Sequence, residues 1–315
     1  HARIERLRKA LQVPHTASSS ALELEALGEE SIPILKEGLA SKNPEVRFYS
    51  ADALAYLGSN SGLEILVSAA KDEPAFRVYA MAALAVLDDG STHERLRDLL
   101  NETSAETRYS AFRALQTLDQ NDPSIKGERI GEQYRLHPLR TTSEPMVHLT
   151  RYRTPEIVLF GADQRLKTPI ALSAGRHIII NGAPGSDTVT VSRFETNKQD
   201  KLRVVSTRVA DIIFAAGELG ASYPDVAQML AQAQRQSNLP GRLEFDALPQ
   251  PGRIYYRDAQ EIDQFASTSS SKEDAGPRKT RIGRPAWMPN MFPQVKSTDN
   301  PTSSFEDGLD DDEET

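Results

Sequence analysis

Three arginines set the frame for this chain. Arg47, Arg77 and Arg108 are each followed by a leucine seven residues on, at Leu54, Leu84 and Leu115, and by another at ten, at Leu57, Leu87 and Leu118. The arginines stand 30 and 31 residues apart, the length of two short helices with their turns, so the period is that of a solenoid unit. Leu63, Leu66, Val67 and Ala70 form the i, i+3, i+4, i+7 stripe of a first helix with one buried face. The second helix is apolar on most sides: Val78, Met81, Ala82 and Ala85 make one stripe and Ala80, Ala83, Leu84 and Leu87 another. Such a helix needs neighbours on several flanks, and stacked copies of the unit supply them.

Punctuation follows the period. Asn43 before Pro44 reads as an N-cap with proline in the first turn, Pro74 marks the corresponding place one unit later, and Ser104 caps the third. Gly58 and Gly90 stand where the second helices should stop. The segments KNPEVRFYSADALAYLG, DEPAFRVYAMAALAVLDDG and TSAETRYSAFRALQTL resemble the second helices of short HEAT repeats. That resemblance implies an α-solenoid over residues 28–120, preceded by a degenerate leading helical unit over 1–27.

The helical period fails after Asp119. Asp122-Pro123, Gly127, Gly131, Pro138 and Pro145 accumulate, so residues 121–145 read as a linker. Strand-like runs follow at Met146–Leu149, Ile157–Phe160, Ile170–Leu172, His177–Ile180 and Thr188–Ser192. Two amphipathic helices come next, around Val209–Ala216 and Val226–Ala233, then further strand runs at Leu243–Ala247 and Ile254–Tyr256. Residues 146–257 therefore read as a small α+β domain with mainly antiparallel strands. Both helices are expected on one side of its sheet, leaving the other side open for a partner.

Residues 258–315 are rich in Ser, Thr, Asp, Glu and Pro and end in a run of five acids. They hold 13 acidic and 6 basic residues, nearly all of the chain's net charge of −8, and read as a disordered acidic tail. Within the tail, segment 278–292 stands apart. Arg278, Lys279, Arg281 and Arg284 precede Trp287, Met288, Met291 and Phe292, which reads first as solvated tail with scattered apolar residues and, as the alternative, as a basic stretch with apolar anchors that docks as an extended peptide.

The net negative balance argues against a protein that coats nucleic acid. The chain has no cysteine, which removes disulfides, thiolate metal sites and a cysteine nucleophile. No apolar run approaches a membrane span, and the opening at His1, without an initiator Met or an apolar leader, reads as an excised piece. The six histidines occur singly, with no H-E-x-x-H, so no metal site is expected. Gly182–Asp187 lacks the Gly-Lys-Ser/Thr ending of a phosphate loop and reads as a hairpin turn. No nucleophile elbow appears, and the chain is expected to be no enzyme and to need no cofactor.

Two readings attach to the arginine ladder: Arg47, Arg77 and Arg108, with Tyr49 and Tyr79, could grip an acidic partner, or bond carbonyls or carboxylates of the adjoining unit. Repetition at the period favours packing. The candidate partner-binding positions are these five together with Arg281, Arg284, Trp287, Met288 and Phe292.

Running from the helical units into RTPEIVLFGADQRLKTPIALSAGRHIIING, YPDVAQMLAQAQ and LPQPGRIYYR, residues 40–257 are similar to the carboxyl-terminal region of unusual flagellar basal-body P-ring proteins. The resemblance implies a structural or protein-interaction module of the periplasm or cell envelope, binding other proteins, among them copies of itself or basal-body components. The P-ring core itself is not in this chain, so no ring-forming residue carries over. The alternatives are a cytoplasmic HEAT-repeat scaffold or regulator, and a lyase, because the short repeats resemble those of phycobilin lyases; a cofactor-sized apolar pocket would favour the last.

Overall fold

A computed structural model of the chain describes residues 2–195, 199–251, 255–257 and 280–282. It begins with paired helices. Helices α1 (Ala2–Leu11) and α2 (Pro14–Leu27) form a leading hairpin; α3 (Ile32–Leu39) pairs with α4 (Pro44–Tyr56), α5 (Leu63–Asp72) with α6 (Arg77–Leu84), and α7 (Gly90–Leu99) with α8 (Ala105–Leu118). Helix α2 packs on α4, α4 on α6 and α6 on α8, so the second helices succeed one another in one layer. Helix α5 lies against both α4 and α7 on the other side. The arginine-led segments are thus equivalent members of successive hairpins.

Local chemistry sets the helix ends. The Asn43 side chain accepts from the Glu45 and Val46 amides, and Ser104 accepts from Thr107, satisfying donors that a helix start leaves free. Gly58 ends α4 at a φ of 74°, a left-handed conformation that side chains with a Cβ resist. Gly90 behaves otherwise: it opens α7, capped by Asp89, instead of closing the preceding helix. Hairpin meets hairpin at close quarters where Gly62 passes α4. A Cβ added there would lie 2.5 Å from Ala51 Cβ and 2.7 Å from its Cα. Gly62→Ala is therefore expected to cost about 1–3 kcal/mol, read as a lowered urea midpoint followed by helical circular dichroism.

Two larger sheets follow the helices. The first joins β1 (Glu128–Ile130), β2 (Tyr134–Leu139), β3 (Met146–Leu149), β4 (Glu156–Phe160) and β9 (Arg242–Phe245) in the order β1-β2-β4-β3-β9. Its β2–β4 and β3–β9 pairs are parallel and the others antiparallel. The second is an antiparallel meander of β5 (Ile170–Ala174), β6 (Ile178–Gly182), β7 (Thr188–Arg193) and β8 (Lys201–Ser206). Helices α9 (Val209–Glu218) and α10 (Tyr223–Arg235) follow it, the latter opened by a Ser222/Asp225 capping box. Residues 183–187 are the β6–β7 turn, as the sequence implied.

Three expectations need correcting. Segment 121–145 is not a linker, because it supplies β1 and β2. Pro138, which weakened the case for a strand, lies past the end of β1, whose register stops opposite Leu136. The pairing is mixed, with two of the four joins in the first sheet parallel. Nor does the first sheet keep a free face. Leu139, Met146, Val158 and Phe160 share a core with α8 and the helical stack, while Leu136, Val147, Leu149, Ile157 and Leu159 pack toward α9, α10 and the second sheet. All five residues of β4 are buried, the signature of a strand covered on both sides.

At the end of the region read as the α+β domain, β10 (Tyr255–Arg257) pairs antiparallel with β11 (Thr280–Ile282) of the region read as a tail, which contains Arg281. The rest of that region, including Arg284, Trp287, Met288 and Phe292, lies outside the described residues. No helix among the described residues is long and apolar enough to cross a membrane.

Candidate functional site

The arginine ladder points inward. Arg47 donates from Nη1 to the Ser41 and Lys42 carbonyls, both at 2.9 Å. Arg77 donates from Nε to Ala70 O at 2.9 Å and from Nη2 to Lys71 O at 3.0 Å. Arg108 donates from Nε to Leu100 O at 3.1 Å and from Nη1 to Glu144 O at 2.8 Å. Each guanidinium therefore closes the hairpin it belongs to by covering carbonyls at or just past the end of that hairpin's first helix, where the helix dipole also favours a cation. The expectation of bonds to the adjoining unit holds for Arg77, whose Nη1 meets Glu106 at 3.3 Å on α8. With Arg77 only 7% and Arg108 only 1% exposed, these two groups are not on display to a partner.

The tyrosines two residues on face elsewhere. Tyr49, Asp52 and Tyr56 recur at i, i+3 and i+7 and so form one line along α4. This line is the part of α4 that its neighbours cover least. Ser18, Leu22 and Glu25 form the corresponding line on α2, with Tyr79 on α6 and Val86 just beyond its end. The lines are close enough to act on one another. Burial pushes the Asp52 carboxyl up to about 7, with the Glu25 charge adding to the effect. Burial likewise raises Tyr49 to about 12, helped by Glu45 and Tyr79 and opposed by the Ser18 hydroxyl. Tyr56 and Tyr79 are also raised, first by burial and then by Asp52. Leu22 and Val86 have 44% and 42% of their surfaces exposed.

A carboxylate set among tyrosines, beside a second carboxylate and without a counter-cation, is costly to keep charged. Perturbation of this kind, arising from burial and a specific charged neighbour, marks functional sites more often than ordinary surfaces. Sequence reasoning singled out Tyr49 and Tyr79 and passed over Glu25, Asp52 and Tyr56. The available signal was the polar-aromatic line at helical spacing in a helix otherwise apolar on most sides.

A second polar cluster lies at the seam between α8 and the first sheet. Tyr109 Oη donates to Glu156 Oε1 at 2.5 Å, and Arg113 Nη1 lies 3.7 Å from the same oxygen. His137 Nδ1 donates to Ile125 O at 2.8 Å. His148 stacks on the Tyr109 ring and accepts at Nε2 from the Ala247 amide at 2.9 Å, which places its ring proton on Nδ1. Burial holds both histidines below the ordinary range, His148 at about 3, so they are neutral. These are residue types that catalysis uses, but Tyr109 and His148 are fully buried and Glu156 nearly so. The cluster fastens the helices to the sheet.

Two other features complete the surface. A cavity of about 700 Å³ opens to solvent beside the end of α7, with a mixed lining that includes Arg97, Leu100, Asn101, Pro123, Pro138 and Arg140. On or beside the second sheet, Ile179, Phe194, Leu202 and Val204 are exposed, so it is this sheet that has an uncovered side. Among the described residues no group of three His, Cys, Asp or Glu side chains could hold a metal ion.

No family model matches the chain, and no curated protein does. Among solved structures, the complex of CpcE and CpcF of phycocyanin lyase from Nostoc sp. PCC7120 is similar over 38% of this chain and 80% of its own, at 25% identity and a TM-score of 0.31. A superposition that loose carries no argument about activity.

Proposed function

We propose that the chain is a non-catalytic protein-interaction module: a short HEAT-like solenoid, anchored through α8 to the sheets, that receives a partner on the face formed by α2, α4 and α6. The observation that carries this reading is the half-covered line of Tyr49, Asp52 and Tyr56 on α4, with exposed Leu22 on the neighbouring α2 and half-buried Tyr79 on α6, on a stack of hairpins otherwise closed by its own arginines. Stacked hairpins suit the role because they hold a long surface rigid while single positions on it vary. The exposed face of the second sheet supplies a further contact area. On the sequence resemblance, the partners are envelope proteins of the flagellar basal body.

A photo-crosslinking residue placed at Leu22 or Val86 tests the reading, with Lys36 on α3 as the control position. In the source cells, Leu22 and Val86 should trap one shared protein partner and the Lys36 position should not. Equal trapping at all three positions, or none at Leu22 and Val86, would refute it.

A further inference from the structure

We propose that the cavity beside the end of α7 binds a small organic anion, whose oxyanion head, a phosphate or a carboxylate, is held by Arg97, Arg140 and Thr141. Three stretches of chain make its walls: the end of α7 from Arg97 to Asn101, the turn at Pro123 and Ser124, and the end of β2 with Arg140 and Thr141. None of the lining residues belongs to α2, α4 or α6, so the site is independent of the protein-interaction reading. Its volume of about 700 Å³ is that of a small-ligand pocket and exceeds what a bare ion fills.

Acceptors at the end of α7 are already taken, and donors are left over. The carbonyls of Arg97, Asp98 and Leu99 accept from the Leu100, Asn101 and Glu102 amides, and Leu100 O accepts from Arg108. Asn101 Oδ1 takes the Thr142 amide at 2.7 Å and its hydroxyl at 3.1 Å. Arg140, by contrast, is exposed and makes no hydrogen bond or ion pair among the described residues. Arg97 donates from Nη2 to Asp122 at 2.7 Å, and that buried carboxylate is fixed in turn by the Ser124 amide and hydroxyl. This holds the Arg97 fork in place while its Nη1 has no partner among the described residues. Thr141 Oγ1 accepts from Arg108 Nη2 at 3.5 Å, which leaves its own hydroxyl hydrogen for a ligand. Such walls call for a ligand that brings acceptors, and guanidinium forks match the paired oxygens of a carboxylate or phosphate.

Charge points the same way. Arg97 and Arg140 line the cavity and Arg108 stands behind Thr141, against Asp122 beside Arg97 and Asp98 in the wall. Asp98 is matched by Arg95 at 3.4 Å, so the surplus around the cavity is positive. Leu100, Pro123 and Pro138 give the rest of the lining an apolar surface that an inorganic ion could not use. The ligand that fits both parts is an oxyanion carried on an apolar body.

The test titrates the full chain at low ionic strength with phenyl phosphate and with benzoate, followed by isothermal titration calorimetry. At least one of the two should bind saturably, one molecule per chain, and the tighter of them assigns the head. Phenol, which keeps the ring and lacks the charge, should not bind. Inorganic phosphate and acetate, heads without the ring, should bind at least tenfold more weakly than their aromatic counterparts. Arg140→Ala should weaken binding about tenfold or more with an unchanged urea midpoint, since the side chain is exposed and unbonded among the described residues. Arg235→Ala removes the same charge from the exposed last turn of α10 and should leave the affinity unchanged. No saturable binding of either aromatic probe, binding of phenol, equal affinity for the bare heads, or wild-type affinity in Arg140→Ala would each overturn the proposal. Equal losses in the two arginine variants would overturn it as well, because attraction by the chain's overall charge would then account for the binding.

Discussion

Replacing Arg108 with alanine is expected to lower stability by about 3–5 kcal/mol, a large share of what a domain possesses. The guanidinium is fully enclosed, covers Leu100 O and Glu144 O, approaches Thr141 Oγ1 at 3.5 Å, and sits 4.6 Å from the centre of the Phe160 ring. Alanine would leave two carbonyls without their donor and a void against Phe160. Lysine does not rescue the site, because one ammonium cannot reach carbonyls that the planar fork reaches in different directions. Burial holds the Arg108 pKa down at about 10, with Arg242 nearby adding to the effect, so the group remains charged at neutral pH and its loss is felt in full. A urea melt measures the change. A protease locates it: the Glu144 carbonyl tethers the segment that also carries exposed Arg140, and trypsin should cut after Arg140 at least tenfold faster in Arg108→Ala. An unchanged cutting rate would show that the segment is held by other contacts.

Asp52→Asn is expected to act in the opposite direction on stability. The folded chain ionises Asp52 near 7, whereas the usual aspartate value is 3.8. In the unfolded chain the carboxyl loses its proton first, so the wild type loses stability as pH rises from about 4 to 7 and stays at the lower level above that. The amide has the same shape without the charge. Allowing for partial exposure, it should add about 2 kcal/mol at pH 8 and almost nothing at pH 4. Urea midpoints of both proteins at the two pH values check this, and a gain of equal size at pH 4 would mean that charge is not the cause.

The parts of this fold legible in the sequence are those written by near neighbours. Asn43, Ser104 and Ser222 cap helices because the amides they satisfy lie two or three residues away. The arginine period was visible because each guanidinium closes its own hairpin, within eight residues of the carbonyls it meets inside the helical stack. What escaped depends on distant contacts. Strand β2 finds its parallel partner β4 across some twenty residues of sequence, and Pro138 with the surrounding glycines imitates a loop. The covered face of the first sheet could not be foreseen from strands alone, since it is Tyr109 and Phe112 of α8 that cover it. Asp52 looked like a solvated charge on a helix, and only the packing of α2 and α6 beside α4 half-buries it.

The self-contained closure of each hairpin has an evolutionary corollary. A unit that satisfies its own turn can be duplicated or deleted at the cost only of side-chain contacts between units, such as that of Arg77 with Glu106, so a stack of this kind can vary in length toward the amino terminus. Arg108 has given up that independence, since the same side chain that finishes the last turn also fastens the β2–β3 connection. New copies inserted after it would tear that fastening, which fixes the carboxyl end of the stack as its permanent foot and leaves the other end free to grow.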